Sequence, residues 1–214
     1  FLFSVSFFSQ QIDEKLVVLK SDLKSANSKV EKIKSHIALG DYLTEKEIYR
    51  AEQHFLDALE TIGNTNSNKL NQLKARVYVG LGVVSRRKGD YTEAIDYYLQ
   101  SKKIYEEQKD TTNIADVIHN IAMVHRYRKK YRTAIEGFKY SIKLNEKTKD
   151  TFSVAASYNM LGVTYRYKKQ LDSAFICYKK ARQLFTLLKS EKDIIGVDSN
   201  LAVLYRKQKQ FEKS

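Results

Sequence analysis

Four arginines recur 40 residues apart, and a guanidinium group is well suited to holding a carboxylate or a phosphate. They are Arg86, Arg126, Arg166 and Arg206. Each could bind an anion through two parallel hydrogen bonds, which a lysine cannot do. In a second interpretation each arginine lies in the last turn of a helix, where it offsets the helix dipole and bonds free carbonyls. Lysine would serve that second role equally well and is abundant nearby, so we favour the anion-binding stripe.

The other reactive residues form no catalytic pattern. The sequence has no phosphate-binding loop, no nucleophile elbow and no carboxylate pair that a repeat sets apart. The single cysteine, Cys177, excludes an internal disulfide and a multi-cysteine metal site, and its place beside Tyr178 indicates a core residue. The four histidines, at 36, 54, 119 and 125, include no H-E-x-x-H pair. We therefore predict no enzyme activity, no metal site and no cofactor.

The chain is basic, but its charge is unevenly spread. The 214 residues carry a net charge of +13, are 43% hydrophobic and include no proline, which favours long helices with short connections. Residues 1–74 hold ten Lys/Arg and ten Asp/Glu, whereas residues 115–194 hold 17 and 7. A basic protein raises the question of nucleic acid, yet no recognition-helix motif or zinc spacing is present. Nucleic acid is therefore the less favoured partner.

Three blocks of the sequence align without gaps at a period of 40 residues. They start at Ala75, Ala115 and Ala155, and a fourth block starts at Ile195 and stops partway at Ser214. Small residues that return at fixed positions allow two helices to approach closely, and a large residue on the same face fills the remaining gap. The recurring pairs are Leu81-Gly82, Ile121-Ala122, Leu161-Gly162 and Leu201-Ala202, and the small residue of the second helix is Ala94, Ala134 or Ala174, followed four positions later by Tyr98, Phe138 or Tyr178.

This pattern resembles the tetratricopeptide repeat (TPR), L-G…Y…A-x3-F-x2-A, over residues 75–214. The period is 40 instead of the usual 34, and the closing proline is missing. In its place stand Asp110 and Asp150, each followed by threonine, which are good caps for the next helix. The resemblance implies an all-α superhelical solenoid of antiparallel helix pairs that binds another polypeptide.

The repeats divide the chain into three expected regions. Residues 1–11 are a signal-peptide remnant or an apolar tail, residues 12–67 a degenerate helical pair, and residues 68–214 the array, in blocks 75–114, 115–154, 155–194 and the truncated 195–214. Thr44-x-x-Glu47 looks like a capping box that opens a helix. We expect helices over 12–39, either continuous or broken, 44–62, 68–88, 92–108, 112–128, 132–148, 152–168, 171–189, 192–208 and from 211 onward.

In the TPR family the first helix of each repeat lines a concave groove, which identifies candidate binding residues by position. The family's chaperone-tail clamp needs lysine and asparagine where this chain has Val79 and Val83, so we do not expect that clamp. The groove residues carried over from the family pattern are Arg86, His119, Asn120, Arg126, Tyr127, Asn159, Arg166, Tyr167, Asn200 and Arg206.

These observations favour a scaffold that binds an acidic protein or peptide. The resemblance further implies the exported sensor region of a bacterial signal-transduction protein, periplasmic or membrane-anchored in the full protein, with a cytoplasmic location left open. Phe1–Phe8 is too short to span a membrane. The alternative is a basic adaptor for RNA or DNA. At the other end, we expect an apolar face with Leu201, Leu204 and Tyr205 to be partly uncovered and to allow self-association.

Overall fold

The computed structural model describes the backbone of residues 2–64 and 67–211 and the side chains of residues 14–64 and 67–206. This described part contains ten helices and no strand, which confirms the all-α prediction. The helices are α1 Leu2–Ser25, α2 Lys29–Leu43, α3 Ile48–Ile62, α4 Asn68–Lys88, α5 Tyr91–Glu107, α6 Thr111–Tyr127, α7 Tyr131–Thr148, α8 Thr151–Tyr167, α9 Leu171–Leu187 and α10 Glu191–Phe211. They form two compact units, Phe1–Ile104 and Tyr105–Ser214, with the boundary inside α5.

The first helical segment breaks at a capping box that the sequence analysis overlooked. The Ser28 hydroxyl accepts a hydrogen bond from the Glu31 backbone N–H, and the Glu31 carboxylate accepts one from the Ser28 N–H. The predicted box at Thr44 and Glu47 is wrong. Thr44 keeps helical dihedrals, and its hydroxyl donates to the Gly40 carbonyl at 2.7 Å, so it closes α2 and cannot adopt the extended conformation of an N-cap.

The caps predicted for the array are confirmed. The carboxylates of Asp110 and Asp150 accept hydrogen bonds from the backbone N–H groups of Asn113 and Ser153, at 3.1 and 3.0 Å. The preceding helices end on a residue in the left-handed conformation, which turns the chain without a proline. Those residues are lysines spaced 20 apart, Lys109, Lys129, Lys149, Lys169 and Lys189, whereas α4 ends on Gly89.

In the first unit the core is built around the ring of Phe55 on α3. A methyl group added at Gly40 on α2 would lie 2.7 Å from this ring, and one at Gly80 on α4 would lie 2.3 Å from it. Both glycines are therefore required for the three helices to pack this closely. The degenerate pair α2–α3 thus forms one core with α4.

In the second unit each helix pair closes around a small residue and an aromatic ring, as the repeat pattern predicts. Gly162 on α8 faces the fully buried ring of Tyr178 on α9, and a methyl group at Gly162 would lie 2.7 Å from that ring. In the α6–α7 pair the glycine at the close contact lies on the second helix and not on the first. Ala122 occupies the position of Gly162, and a methyl group at Gly137 on α7 would lie 2.9 Å from the Ala122 methyl. A larger side chain on one helix is matched by a glycine on the other.

The C-terminal prediction needs correction. Helix α10 continues through residues 208–211, so the expected turn and the new helix from 211 are wrong as far as the described residues extend. Leu204, expected to be uncovered, is 1% exposed within the core that α8, α9 and α10 share, although Tyr205 is 50% exposed.

At the N-terminal end, helix α1 begins at Leu2 and not at the predicted residue 12, so it includes most of the segment assigned to a signal-peptide remnant or apolar tail. The side chains of this segment lie outside the described residues, and the choice between the two assignments stays a prediction. None of the helices in the part of the chain that the structure describes is long and apolar enough to cross a membrane.

Candidate functional site

The first helices of the repeats lie side by side in the second unit, where α6 contacts α8 and α8 contacts α10. Two side-chain hydrogen bonds join them. His119 Nδ1 lies 2.8 Å from the Ser157 hydroxyl, and the Asn200 amide donates to the Asn159 carbonyl oxygen at 3.0 Å. The structure therefore brings two of the predicted groove residues, Asn159 and Asn200, together and joins a third, His119, to Ser157. It also gives them an inter-repeat role that the sequence did not suggest.

Arg166 connects the two helices of its repeat. Its Nε lies 3.4 Å from the hydroxyl of Tyr178, which is fully buried on α9. Its guanidinium carbon lies 4.9 Å from the ring centroid of Tyr167, a side chain that is 51% exposed. One edge of the guanidinium is thus anchored inside the repeat, and the group lies over an exposed aromatic ring, a favourable cation–π arrangement.

Arg126 has the same aromatic neighbour but a different inner contact. Its guanidinium carbon lies 4.2 Å from the ring centroid of Tyr127, which is 42% exposed. The residue equivalent to Tyr178 is Phe138, which has no hydroxyl. Among the described residues the buried Nε of Arg126 has no hydrogen-bond partner, and its Nη2 donates to the Met123 sulfur at 3.8 Å.

The two outer arginines differ from this pair. In the first unit, Arg86 lies near the hydroxyl of Tyr98, where burial raises the tyrosine pKa and the arginine charge lowers it by a smaller amount. In the second unit, Arg206 is exposed and its Nε donates to the Ala202 carbonyl of its own helix at 3.4 Å. Arg86, Arg126 and Arg166 lie in the last turn of their helices, as the helix-end interpretation expects, whereas α10 continues beyond Arg206 to Phe211. The four arginines therefore share a repeat position but not a set of contacts.

Exposed tyrosine rings lie beside Arg126 and Arg166 and make this surface partly aromatic. Tyr167 stacks on Tyr131 from the preceding repeat, with ring centroids 6.2 Å apart and an interplanar angle of 11°. Beside these rings, the turns within the repeats expose Arg128, Lys129, Lys130, Lys168 and Lys169, which form the basic rim. The combination of flat rings, guanidinium groups and surrounding cations suits an anionic, partly apolar ligand.

An acidic side chain lies near the N-terminal end of α6, at the opposite end of the helix from Arg126. Asp116 is in the second turn of α6, and burial together with the charge of Asp150 raises the pKa of its carboxyl group. A ligand carboxylate near Asp116 would be repelled or would need a proton. The favourable end of α6 for an acidic ligand is therefore its C-terminal end, where Arg126 lies.

Cys177 is a core residue, as the sequence indicated. It is 6% exposed, and burial raises the pKa of its thiol to about 11. A thiol with that pKa is protonated near neutral pH and is a poor nucleophile. It contributes to the wall of a shallow cavity of about 360 Å³ between α7, α8 and α9, together with Tyr158 and Ile176.

The structure also reveals a polar cluster that sequence reasoning missed. His36 on α2 meets His54 and Asp57 on α3. Burial lowers the pKa of both histidines, and Asp57 raises it by less. The only sequence signal was the His-x-x-Asp spacing on α3, which places two possible ligands on one helix face. The third lies 18 positions away from His54 and required the α2–α3 packing to be known.

Comparison with known proteins agrees with the repeat geometry. The family model described as "Tetratricopeptide repeat" matches residues 73–147 and 113–187, which is more than half of the chain. No protein with a curated description matches the sequence significantly. Solved structures share the fold at low sequence identity.

BtubC from P. vanneervenii has a TM-score of 0.77 at 19% identity, over 94% of this chain and 86% of that protein. A Rap protein complexed with Competence and Sporulation Factor has a TM-score of 0.79 at 15% identity, over 94% and 55%. A signal-transduction ATPase with a tetratricopeptide repeat sensor, from Pyrococcus horikoshii, has a TM-score of 0.71 at 16% identity, over 91% and 30%. This chain thus spans about half or less of the latter two proteins. The helix pairs, their 40-residue period and the family match together identify the chain as a member of the tetratricopeptide repeat family.

Proposed function

We propose that this chain is a scaffold that binds an acidic protein or peptide across α6, α8 and α10. The observation that carries the proposal is the repeated pairing of a half-buried arginine with an exposed tyrosine, Arg126 with Tyr127 and Arg166 with Tyr167. Repeat solenoids use extended surfaces of stacked helices to bind their partners. Two equivalent arginine–tyrosine pairs, one per repeat, would contact a ligand that extends across successive repeats.

The charges of the second unit support an acidic ligand. Arginine binds carboxylates through paired hydrogen bonds, and each guanidinium here is already oriented by a neighbouring ring, so little side-chain freedom is lost on binding. The basic rim adds long-range attraction. Because Asp116 disfavours carboxylates at the start of α6, we expect the acidic part of the ligand at the C-terminal ends of α6 and α8.

The wider role we propose is that of a sensor region in a signalling protein. The support is the fold shared with a Rap protein complexed with Competence and Sporulation Factor and with an ATPase whose repeats are described as a sensor. An exported location remains part of this proposal. The complete reading frame of the gene tests the sensor role. We expect it to encode an output domain beyond Ser214, and a gene that encodes no such domain would contradict this role.

Selection from a displayed library of short random peptides tests the binding proposal. We expect the recovered sequences to be enriched in Asp and Glu next to an apolar or aromatic residue, since the surface offers both guanidinium groups and rings. Recovery of neutral or basic sequences only would contradict the proposal.

The same selection separates a groove ligand from general attraction to a basic surface. A variant with Arg132→Ala and Arg182→Ala loses two positive charges from exposed, ion-paired positions on α7 and α9. It should recover the same acidic peptides as the parent.

The basic rim favours RNA or DNA as the alternative ligand. Such binding should not depend on the nucleic-acid sequence and should weaken steeply as salt is raised. A tight complex with one nucleic-acid sequence at physiological salt would replace the peptide proposal.

Self-association through α10 stays a prediction, and fewer exposed apolar side chains support it than the sequence suggested. Ile195 and Tyr205 on this helix are 66% and 50% exposed, whereas Leu204 is covered. An exposed apolar pair of this kind should produce a weak, concentration-dependent dimer. Sedimentation of the chain at rising concentration checks this, and a monomer throughout would remove the prediction.

A further inference from the structure

We propose that His36, His54 and Asp57 form a binding site for a divalent transition metal, with zinc as the expected ion. The three side chains meet where α2 packs on α3 in the first unit, far along the chain from the arginine–tyrosine pairs. His54 and Asp57 are three residues apart on α3, so they lie on one helix face. His36 faces them from α2.

Two of the three distances between the possible ligand atoms match those expected around one metal ion. His36 Nδ1 lies 3.2 Å from His54 Nδ1 and 3.6 Å from an Asp57 carboxylate oxygen. A tetrahedral zinc ion with ligand bonds of about 2.0–2.2 Å sets its ligand atoms about 3.3–3.6 Å apart. All three ligand atoms lie within 4.8 Å of one another. Within the part of the chain that the structure describes, no other group of histidine, cysteine and acidic side chains meets this criterion.

The chemistry of the donors favours zinc. Two imidazole nitrogens and one carboxylate oxygen suit zinc better than calcium or magnesium, which prefer oxygen alone. Three protein ligands would leave a fourth position for water or for a group from a partner, the arrangement of open zinc sites. His36 is 6% exposed, while His54 and Asp57 are half-buried, so the site has a protein floor and an open side.

A cluster held by hydrogen bonds alone is the competing explanation. One imidazole could donate from Nδ1 to the Nδ1 of the other at 3.2 Å. That bond accounts for the histidine pair, but Asp57 at 3.6 Å lies beyond an ordinary hydrogen bond to the same nitrogen. The rings are tilted by 50° with centroids 5.4 Å apart, so stacking does not explain the contact between the two Nδ1 atoms either.

Titration with zinc chloride tests the site in the full 214-residue chain, purified without a histidine tag and freed of metal with a chelator. We expect one zinc ion per chain by calorimetry and a rise in the midpoint of thermal unfolding. Cobalt should give the strong visible absorption of a tetrahedral site. His54→Gln and Asp57→Asn should each weaken zinc binding at least about tenfold, since even outer-shell changes at metal sites cost that much.

Matched variants keep this test decisive. His119→Gln and His125→Gln remove the other two histidines, and Cys177→Ser removes the thiol; all three should bind zinc as the parent does. His54 and Asp57 are only half-buried, so circular dichroism should show their variants folded. If the parent binds zinc no more tightly than His54→Gln, the residues form a hydrogen-bonded cluster and the metal site does not exist.

Discussion

Replacement of Gly162 by valine should lower the free energy of unfolding of the chain by about 3 kcal/mol. Even the first carbon of a side chain at Gly162 would lie 2.7 Å from the ring of Tyr178. That ring is fully buried and its hydroxyl lies 3.4 Å from Arg166, so it has no room to move aside. Valine adds two methyl groups to this overlap, and α8 and α9 would have to separate. Chemical denaturation measured by circular dichroism gives the value.

Gly196 on α10 is the matched control, because a side chain there would meet nothing within 4 Å. Gly196→Ala should raise the free energy of unfolding by about 0.5–1 kcal/mol, since alanine costs less backbone entropy than glycine inside a helix. The two substitutions should therefore have opposite signs. A valine at 162 that is tolerated as well as the alanine at 196 would show that the α8–α9 packing is looser than described.

The contact between Gly162 and Tyr178 was predictable because the repeat encodes it. A small residue and an aromatic residue recur at fixed positions in the blocks that start at Ala75, Ala115 and Ala155, and only close helix packing explains both. The caps at Asp110 and Asp150 were predictable for a similar reason, since an aspartate at a helix start has a local function. Periodic and local signals thus determined most of the fold.

Features that depend on one contact between distant residues were not predictable. The difference between Arg126 and Arg166 follows from Phe138 and Tyr178, whose equivalence was visible but whose proximity to the arginine was not. The meeting of His36 with α3 depends on how the degenerate pair packs, and that pair lacks the full repeat signature. Thr44 was misassigned because its residue type suits both the end of one helix and the start of the next.

The binding surface gives the second large expected effect. The double substitution Arg126→Ala and Arg166→Ala should weaken the binding of a selected acidic peptide by about 30-fold or more, because each half-buried charged hydrogen bond contributes about 1–2 kcal/mol. Salt dependence should become shallower, since two cations are removed from the contact. Among the described residues Arg126 has no hydrogen bond to a buried hydroxyl, so Arg126→Ala should weaken peptide binding with little change in the free energy of unfolding.

A stability effect of Arg166→Ala can be separated from its binding effect. Tyr178→Phe removes the hydroxyl that lies 3.4 Å from Arg166 Nε but keeps the guanidinium charge at the surface. This variant should unfold more easily and still bind the peptide with nearly the parent affinity. Loss of binding in Tyr178→Phe would mean that the arginine acts only by joining α8 to α9.

The most direct test of the account is the affinity of one fluorescent acidic peptide, followed by anisotropy at low and at physiological salt. Three proteins are compared: the parent, the Arg126→Ala and Arg166→Ala double variant, and the charge-matched Arg132→Ala and Arg182→Ala control. We expect the control to bind like the parent at both salt concentrations. The Arg126 and Arg166 variant should lose about 30-fold in affinity at low salt and should respond less to added salt. Equal affinities for all three proteins, or equal losses in the two double variants, would contradict the binding proposal.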